Sequence, residues 1–212
     1  MRREFLSRRE IDRKAEEVLR RFDPKFPSNQ ISPIYAVVHG LAKEHQISFR
    51  FRQDLGFSPR GRKILGQFEF APHQISIDEI LPDDSPRFRW TLCHEIGHWV
   101  LHRFIDPRTI SRDQPALIDT REQLHFTAQW SDLRWIEWQA NQFASSLLLP
   151  RPVLQRALSQ VQSDLGVSVP GYLGESMRVR AQILDRLSQR MNVSRTMLRI
   201  RLLHLDLLAD VP

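Results

Sequence analysis

The amino-acid sequence predicts an α+β fold, with helices packed around a short, twisted antiparallel sheet. Three observations carry this expectation. Apolar residues recur at helical spacing in several separate segments. Three short strand-like segments follow one another between residues 47 and 77. Turn-forming residues punctuate each change of period.

Ser7-Arg8-Arg9-Glu10 is a capping box, and Ile11, Ala15, Val18, Leu19 and Phe22 continue it as an amphipathic helix over about 7–22. Asp23-Pro24 ends that helix. Ser32 as N-cap and Pro33 at the first helical position open a second helix, with Ile34, Val37, Val38 and Leu41 on its apolar face to about Glu44. Ile47-Ser48-Phe49-Arg50-Phe51 alternates with period two, as a half-buried strand does. Ile64 to Phe70 and Gln74-Ile75-Ser76-Ile77 are the next strands, and their sequential order suggests a meander. Asp83-Asp84-Ser85-Pro86 then caps a helix running to His102.

Residues 103–132 form a long connection with scattered polar residues and two prolines. Connections of this length inside a compact domain are functional or disordered. A helix over about 131–149 follows, with Trp135, Ile136, Ala140, Phe143, Ala144, Leu147 and Leu148 at helical spacing until Pro150. Residues 152–158 form a short helix and 162–174 a linker, before two final helices over about 175–190 and 194–208.

Hydrophobic residues at 41% and charged residues at 26% are ordinary for a globular chain. A single cysteine excludes an internal disulfide. No apolar run approaches the roughly 20 residues of a membrane span. The N-terminus lacks the apolar core of a signal peptide, and its early acids argue against a transit peptide, so the expectation is a cytoplasmic protein. The formal net charge is +6, and Arg178 to Arg201 carries seven arginines against one acid, Asp185. The excess positive charge is therefore concentrated in the last two helices.

The chemistry lies in Arg87 to His102, RFRWTLCHEIGHWVLH, which contains the HExxH pattern His94-Glu95-Ile96-Gly97-His98. Residues four apart on a helix share a face, so His94 and His98 can aim both imidazoles at one point. Neutral imidazole is a good Zn²⁺ ligand. Glu95 is rotated about 100° from His94 and stands beside the metal, where a general base belongs. Apolar neighbours bury this helix, and buried polar groups need partners. Gly97 makes sense if another backbone crosses close by. Cys93, on a different face, reads as a buried inert thiol.

A catalytic zinc takes three protein ligands and keeps one position open. A histidine third ligand of the HExxHxxGxxH type is excluded, because those positions hold Leu101 and Phe104. His102 drifts about 80° around the helix from His94 and reads as structural. Glu137 is the stronger candidate, with Asn141 one turn later able to orient a ligand histidine by accepting its remaining N–H.

HEIGHWVLH, followed by Glu137-Trp138-Gln139-Ala140-Asn141-Gln142-Phe143-Ala144 and Leu147-Leu148-Leu149-Pro150, resembles the ImmA/IrrE family of metallo-endopeptidases. Ile75-Ser76-Ile77-Asp78 is similar to the strand before that family's active helix, and Val193-Ser194 with Arg201-Leu202 and Leu205 to its C-terminal segment. The resemblance spans most of residues 30–208. It implies a small gluzincin-like core with an HExxH helix and a Glu-ligand helix, here residues 1–150, followed by a C-terminal helical region, 151–212. It also implies zinc-dependent cleavage of helix-turn-helix repressors, which switches on mobile-element or stress-response genes. Two departures stand out. The connection from His98 to Glu137 is longer than usual, and no repressor-type DNA-binding domain precedes residue 30, so the repressor would be a separate protein.

The expected reaction is peptide hydrolysis, with zinc on His94, His98 and Glu137 acidifying a water and Glu95 moving its proton to the leaving amine. Tyr35, His39, His73, His125 and Tyr172 are open candidates for an oxyanion donor. The strand at 64–70 could pair with an extended substrate. The alternative is a DNA-binding regulator with a structural metal, since the last two helices have helix-turn-helix proportions. Their many apolar positions, Met197, Leu198, Ile200, Leu202, Leu203 and Leu205, favour a hairpin packed on the core instead.

Overall fold

The computed structural model describes residues 6–28, 31–105, 116–119, 132–167 and 177–208. Helix α1 spans Arg8–Phe22 and opens with the Ser7/Glu10 capping box, both reciprocal bonds being present. Helix α2 spans Ile34–His45. Its Ser32 does not cap it: the N-cap is Pro33, and the Ser32 hydroxyl donates to the Leu148 carbonyl at 3.3 Å. The serine thus ties α2 to the far end of the Glu137 helix.

Strands β1 (Ser48–Gln53), β2 (Gly66–Phe70), β3 (His73–Asp78) and β4 (Ala116–Asp119) form one sheet in the order β1-β3-β2-β4. β2 pairs antiparallel with β3 and with β4, but β1 pairs parallel with β3. The sheet is therefore mixed, not the antiparallel meander expected. Period-two alternation reports which face a residue takes and is silent about which strand lies alongside. Only the tight Ala71-Pro72 turn forces neighbours to pair, and it joins β2 to β3. The 54–65 connection is long enough to carry the chain past β3. Its return is fastened by Asp78, whose carboxylate accepts from the Leu55 and Ile80 amides at 2.8 and 3.0 Å and pairs with Lys63 at 2.8 Å.

The order also corrects the substrate-pairing reading. Both sides of β2 are occupied by strands, so β2 has no edge to offer. Among the described residues β4, within the connection read as a loop, takes the outer position.

Helix α3 (Pro86–His102) starts at Ser85, whose side chain accepts from the Phe88 amide at 3.2 Å, with Pro86 in the first turn. Such a cap stabilises by about 1 kcal/mol. α3 packs between the sheet and α4 (Asp132–Leu148). Its apolar face of Phe88, Leu92 and Ile96 is buried, each side chain contributing roughly 1.5–3 kcal/mol. Helix α5 (Arg151–Asp164) is longer than the 152–158 expected. Helices α6 (Met177–Met191) and α7 (Arg195–His204, capped by Ser194) form the terminal hairpin. One hydrophobic core runs through the described residues from Leu6 on the N-terminal side to Leu208. No described helix is long and apolar enough to cross a membrane.

Candidate metal centre

The site is built where α3 and α4 cross. A Cβ on Gly97 would stand 3.2 Å from the Cα and carbonyl oxygen of Ala140, closer than side chains comfortably approach. Gly97 and Ala140 are thus the small residues that let the two backbones meet. Glu137 lies one turn before Ala140 and Asn141 one residue after it, so both reach the histidine face of α3.

The convergence is close. His94 Nε2 and His98 Nε2 are 2.9 Å apart. The Glu137 carboxylate lies 3.3 Å from His94 Nε2 and 3.5 Å from His98 Nε2. Two imidazole nitrogens and one carboxylate oxygen, all within 4.8 Å of one another, could hold a metal ion. Donors about 2.0–2.1 Å from a tetrahedral zinc stand roughly 3.4 Å apart, which the three separations bracket. The donor set and its spacing therefore fit a divalent zinc. Both histidines are buried, and the Glu137 side chain retains 19% exposure. Burial raises the Glu137 pKa, but the facing His98 and His94 outweigh it and hold the carboxyl below its ordinary range.

Outside the donors, His94 Nδ1 meets Asn141 Oδ1 at 3.0 Å. The amide oxygen accepts, so the ring proton sits on Nδ1 and the Nε2 lone pair points at the centre. His98 Nδ1 meets His102 Nδ1 at 3.1 Å, and His102 Nε2 meets Gln139 Oε1 at 3.1 Å. Burial pushes the His102 pKa down to about 3, so this ring is neutral. His102 stands outside the cluster of donors, and its contact with His98 was not anticipated. Part of a signal was present, since residues 94, 98 and 102 repeat every four along one side of the helix, but nothing in the sequence pointed to Gln139.

Glu95 is fully buried against β2. A Cβ on Gly66 would lie 2.8 Å from Glu95 Oε1 and 2.5 Å from the Thr91 methyl. Gly66, which read only as an interruption in a strand, leaves room for the carboxylate beside the histidines. Cys93 is buried, and burial pushes its thiol up to about 12, consistent with inert packing. Among the oxyanion candidates, Tyr35 is exposed and stacks on Phe88, His39 is exposed on α2, and His73 sets its ring edge against Phe68. His125 and Tyr172 lie outside the described residues.

Residues 72–203 match the peptidase M78 family, described as the IrrE N-terminal-like domain. No curated protein matches the chain. The matched segment covers more than half of the sequence and includes β3, the HExxH helix, α4 and most of the terminal hairpin. That family implies a metallopeptidase-type function, in agreement with the donor set on α3 and α4. The chain belongs to the ImmA/IrrE family of M78 peptidases.

Proposed function

We propose that this protein is a zinc-dependent endopeptidase that cleaves a separate helix-turn-helix transcriptional repressor in the cytoplasm and so derepresses mobile-element or stress-response genes. The observation that supports it best is the arrangement on one helix. The Nε2 atoms of His94 and His98 converge with the Glu137 carboxylate, while Glu95 occupies the adjacent face beneath Gly66. A bound zinc supplies Lewis acidity, which acidifies water and polarises the scissile carbonyl.

The chain's own residues do the remaining work. Asn141 holds the His94 ring with its proton outward. Glu95 takes a proton from the attacking water at its carboxylate and delivers it to the leaving amine. Its place in a dry wall of α3 and β2 strengthens that exchange by excluding bulk water. β4 is the outermost strand on the β2 side, so an extended segment of the substrate would pair there, by strand addition. The identity of that substrate as a repressor rests on the family resemblance.

The test pairs two measurements, zinc content and cleavage of a repressor-type partner, in Glu95→Gln and Glu137→Gln. Glu95→Gln is expected to keep zinc and lose cleavage, and Glu137→Gln to lose zinc affinity itself, since a neutral amide is a poor ligand. Parental cleavage by Glu95→Gln would overturn the mechanism and move a structural metal ahead. The rival reading, a DNA-binding regulator, draws on the arginines of α6 and α7. Against it, Met197, Leu198, Arg201 and Leu202 of α7 are buried.

A further inference from the structure

The two histidines of the centre are held from behind in different ways. His94 faces one amide, Asn141. His98 faces a second ring, His102, which in turn faces the amide of Gln139. His98, His102 and Gln139 are all nearly or fully buried, with at most 4% exposure. The partners of this chain therefore have to come from the protein.

Two ring nitrogens 3.1 Å apart share one proton. If both were bare, two lone pairs would face each other, and if both carried hydrogen, two N–H groups would clash. The row can thus run in either of two directions. In the first, His98 Nδ1–H donates to His102 Nδ1, and His102 Nε2–H donates to Gln139 Oε1. The His98 proton is then on the outer nitrogen and Nε2 offers a lone pair to the centre. In the second, His102 Nδ1–H donates to His98 Nδ1, the His98 proton moves to Nε2, and that nitrogen can no longer bind a metal. His102 Nε2 would then need a donor, whereas Gln139 presents its oxygen at 3.1 Å. The amide oxygen selects the first direction.

We propose that His102 and Gln139 are positioning residues that set the tautomer of His98, fixing its proton on Nδ1 so that Nε2 is free to bind the metal. This rests on the reading of His94, His98 and Glu137 as the metal ligands. Gln139 acts two hydrogen bonds removed, through His102. The arrangement matches Asn141 on His94 in its outcome, with one histidine interposed between ligand and amide. Both outer partners are neutral. Neither adds negative charge beyond Glu137, so a metal held here keeps more of its own positive charge than one whose histidines are backed by carboxylates.

The experiment measures Zn²⁺ affinity of the metal-free protein by competition with a chelator, and the visible spectrum of the Co²⁺-substituted protein. His102→Leu removes the acceptor for His98. Its zinc affinity is expected to fall about 10–100-fold, the usual cost of losing such a partner, and its Co²⁺ spectrum to change. His102→Asn places an amide oxygen near the position of Nδ1 and is expected to restore most of the affinity. Gln139→Leu should give a smaller loss. Nitrogen NMR of the zinc-loaded parent should find His102 protonated at Nε2 and bare at Nδ1, which decides the matter even if His102→Leu does not fold. Parental affinity and an unchanged Co²⁺ spectrum in folded His102→Leu would overturn the proposal, as would the opposite His102 tautomer in the parent. A parent chain that takes up no zinc would overturn the metal centre itself, and is distinguished by failing before any variant is compared.

Discussion

The α3–α4 crossing and the α6–α7 hairpin both carry polar side chains, and they use that polarity in opposite ways. At the crossing the polar groups are few and face inward: His94, His98 and His102 on α3 meet Glu137, Gln139 and Asn141 on α4, with Glu95 buried on the adjacent face against β2. In the hairpin the charges are many and mostly face outward, while Ile183, Leu187, Leu198 and Leu202 face in. The inward arginine, Arg201, pairs with Asp12 at 2.8 Å and donates to the Leu149 carbonyl at 3.1 Å. The hairpin turn is also fastened. Asn192 donates to the Asp84 carbonyl at 2.9 Å, beside the cap of α3. Arg89 completes that corner through Asp84 and the Ser32 carbonyl, both at 2.9 Å. Where polar groups point, not how many there are, separates a site from a scaffold. Buried polar groups cost free energy unless matched, so a convergent buried set is retained for chemistry, whereas an outward charge needs no such reason.

The sharpest way to break the comparison is at the crossing. Replacing both His94 and His98 with Ala should take the protein from about one zinc per chain to none, with total loss of cleavage. Metal analysis of the purified variant checks this. Full occupancy would mean that the inward set is not the ligand set.

Next in size are changes that spare the metal. Glu95→Gln should lower cleavage by about 10²–10⁴-fold, the typical worth of a general base, with zinc retained. Gly66→Ala should act on the same carboxylate from the other side. Its methyl would collide with Thr91 and Glu95 Oε1, and a shift of about 1 Å in a catalytic group costs about 10²-fold. If Gly66→Ala cleaves like the parent at normal zinc content, the packing of β2 on Glu95 does not position it.

What the sequence made legible follows the same division. α3 was readable because Ser85-Pro86 caps it and its apolar spacing is regular. Glu137 and Asn141 sit one turn apart on α4, so a shared face could be inferred before any partner was known. The parallel β1–β3 pairing was not readable, since alternation names no neighbour. β4 was missed because four residues beside Pro115 carry little pattern, and the partner that gives them hydrogen bonds, β2, is some fifty residues earlier. The Gln139–His102–His98 row was missed for a related reason. It joins two helices that only Gly97 and Ala140 bring close, and a glycine does not state which backbone it admits.

A smaller effect should appear in the scaffold. Arg201→Ala removes the partner of Asp12 and the donor to the end of α4. Breaking a buried pair costs about 3–5 kcal/mol, and the lower end applies because the Asp12 side chain is a quarter exposed. Urea unfolding should show that loss, while zinc content per folded chain stays at the parental level. A large fall in zinc affinity at parental stability would tie Arg201 to the site and blur the distinction.

The smallest expected effect tests the outward face alone. Arg195 pairs with Asp185 at 3.1 Å, with side-chain exposures of 54% and 48%, and Arg199 is exposed on the same helix. Exposed pairs contribute about 0–1 kcal/mol, so replacing both arginines with Gln should leave stability within about 1 kcal/mol of the parent. Cleavage should be unchanged, because neither residue lies on α3 or α4. The same variant probes the rival function. A protein that meets phosphates through these arginines loses affinity steeply with salt, and each lost contact reduces the slope of log affinity against log salt by about 1. On the present structure duplex DNA should be retained weakly, without sequence preference, and the double variant should differ little from the parent. α7 packs one face on the core through Met197, Leu198, Arg201 and Leu202, and Asn192 ties the preceding turn to Asp84. A tight, sequence-selective complex that the two glutamines abolish would reverse this, and would make the hairpin a functional surface in its own right instead of scaffold for α3 and α4.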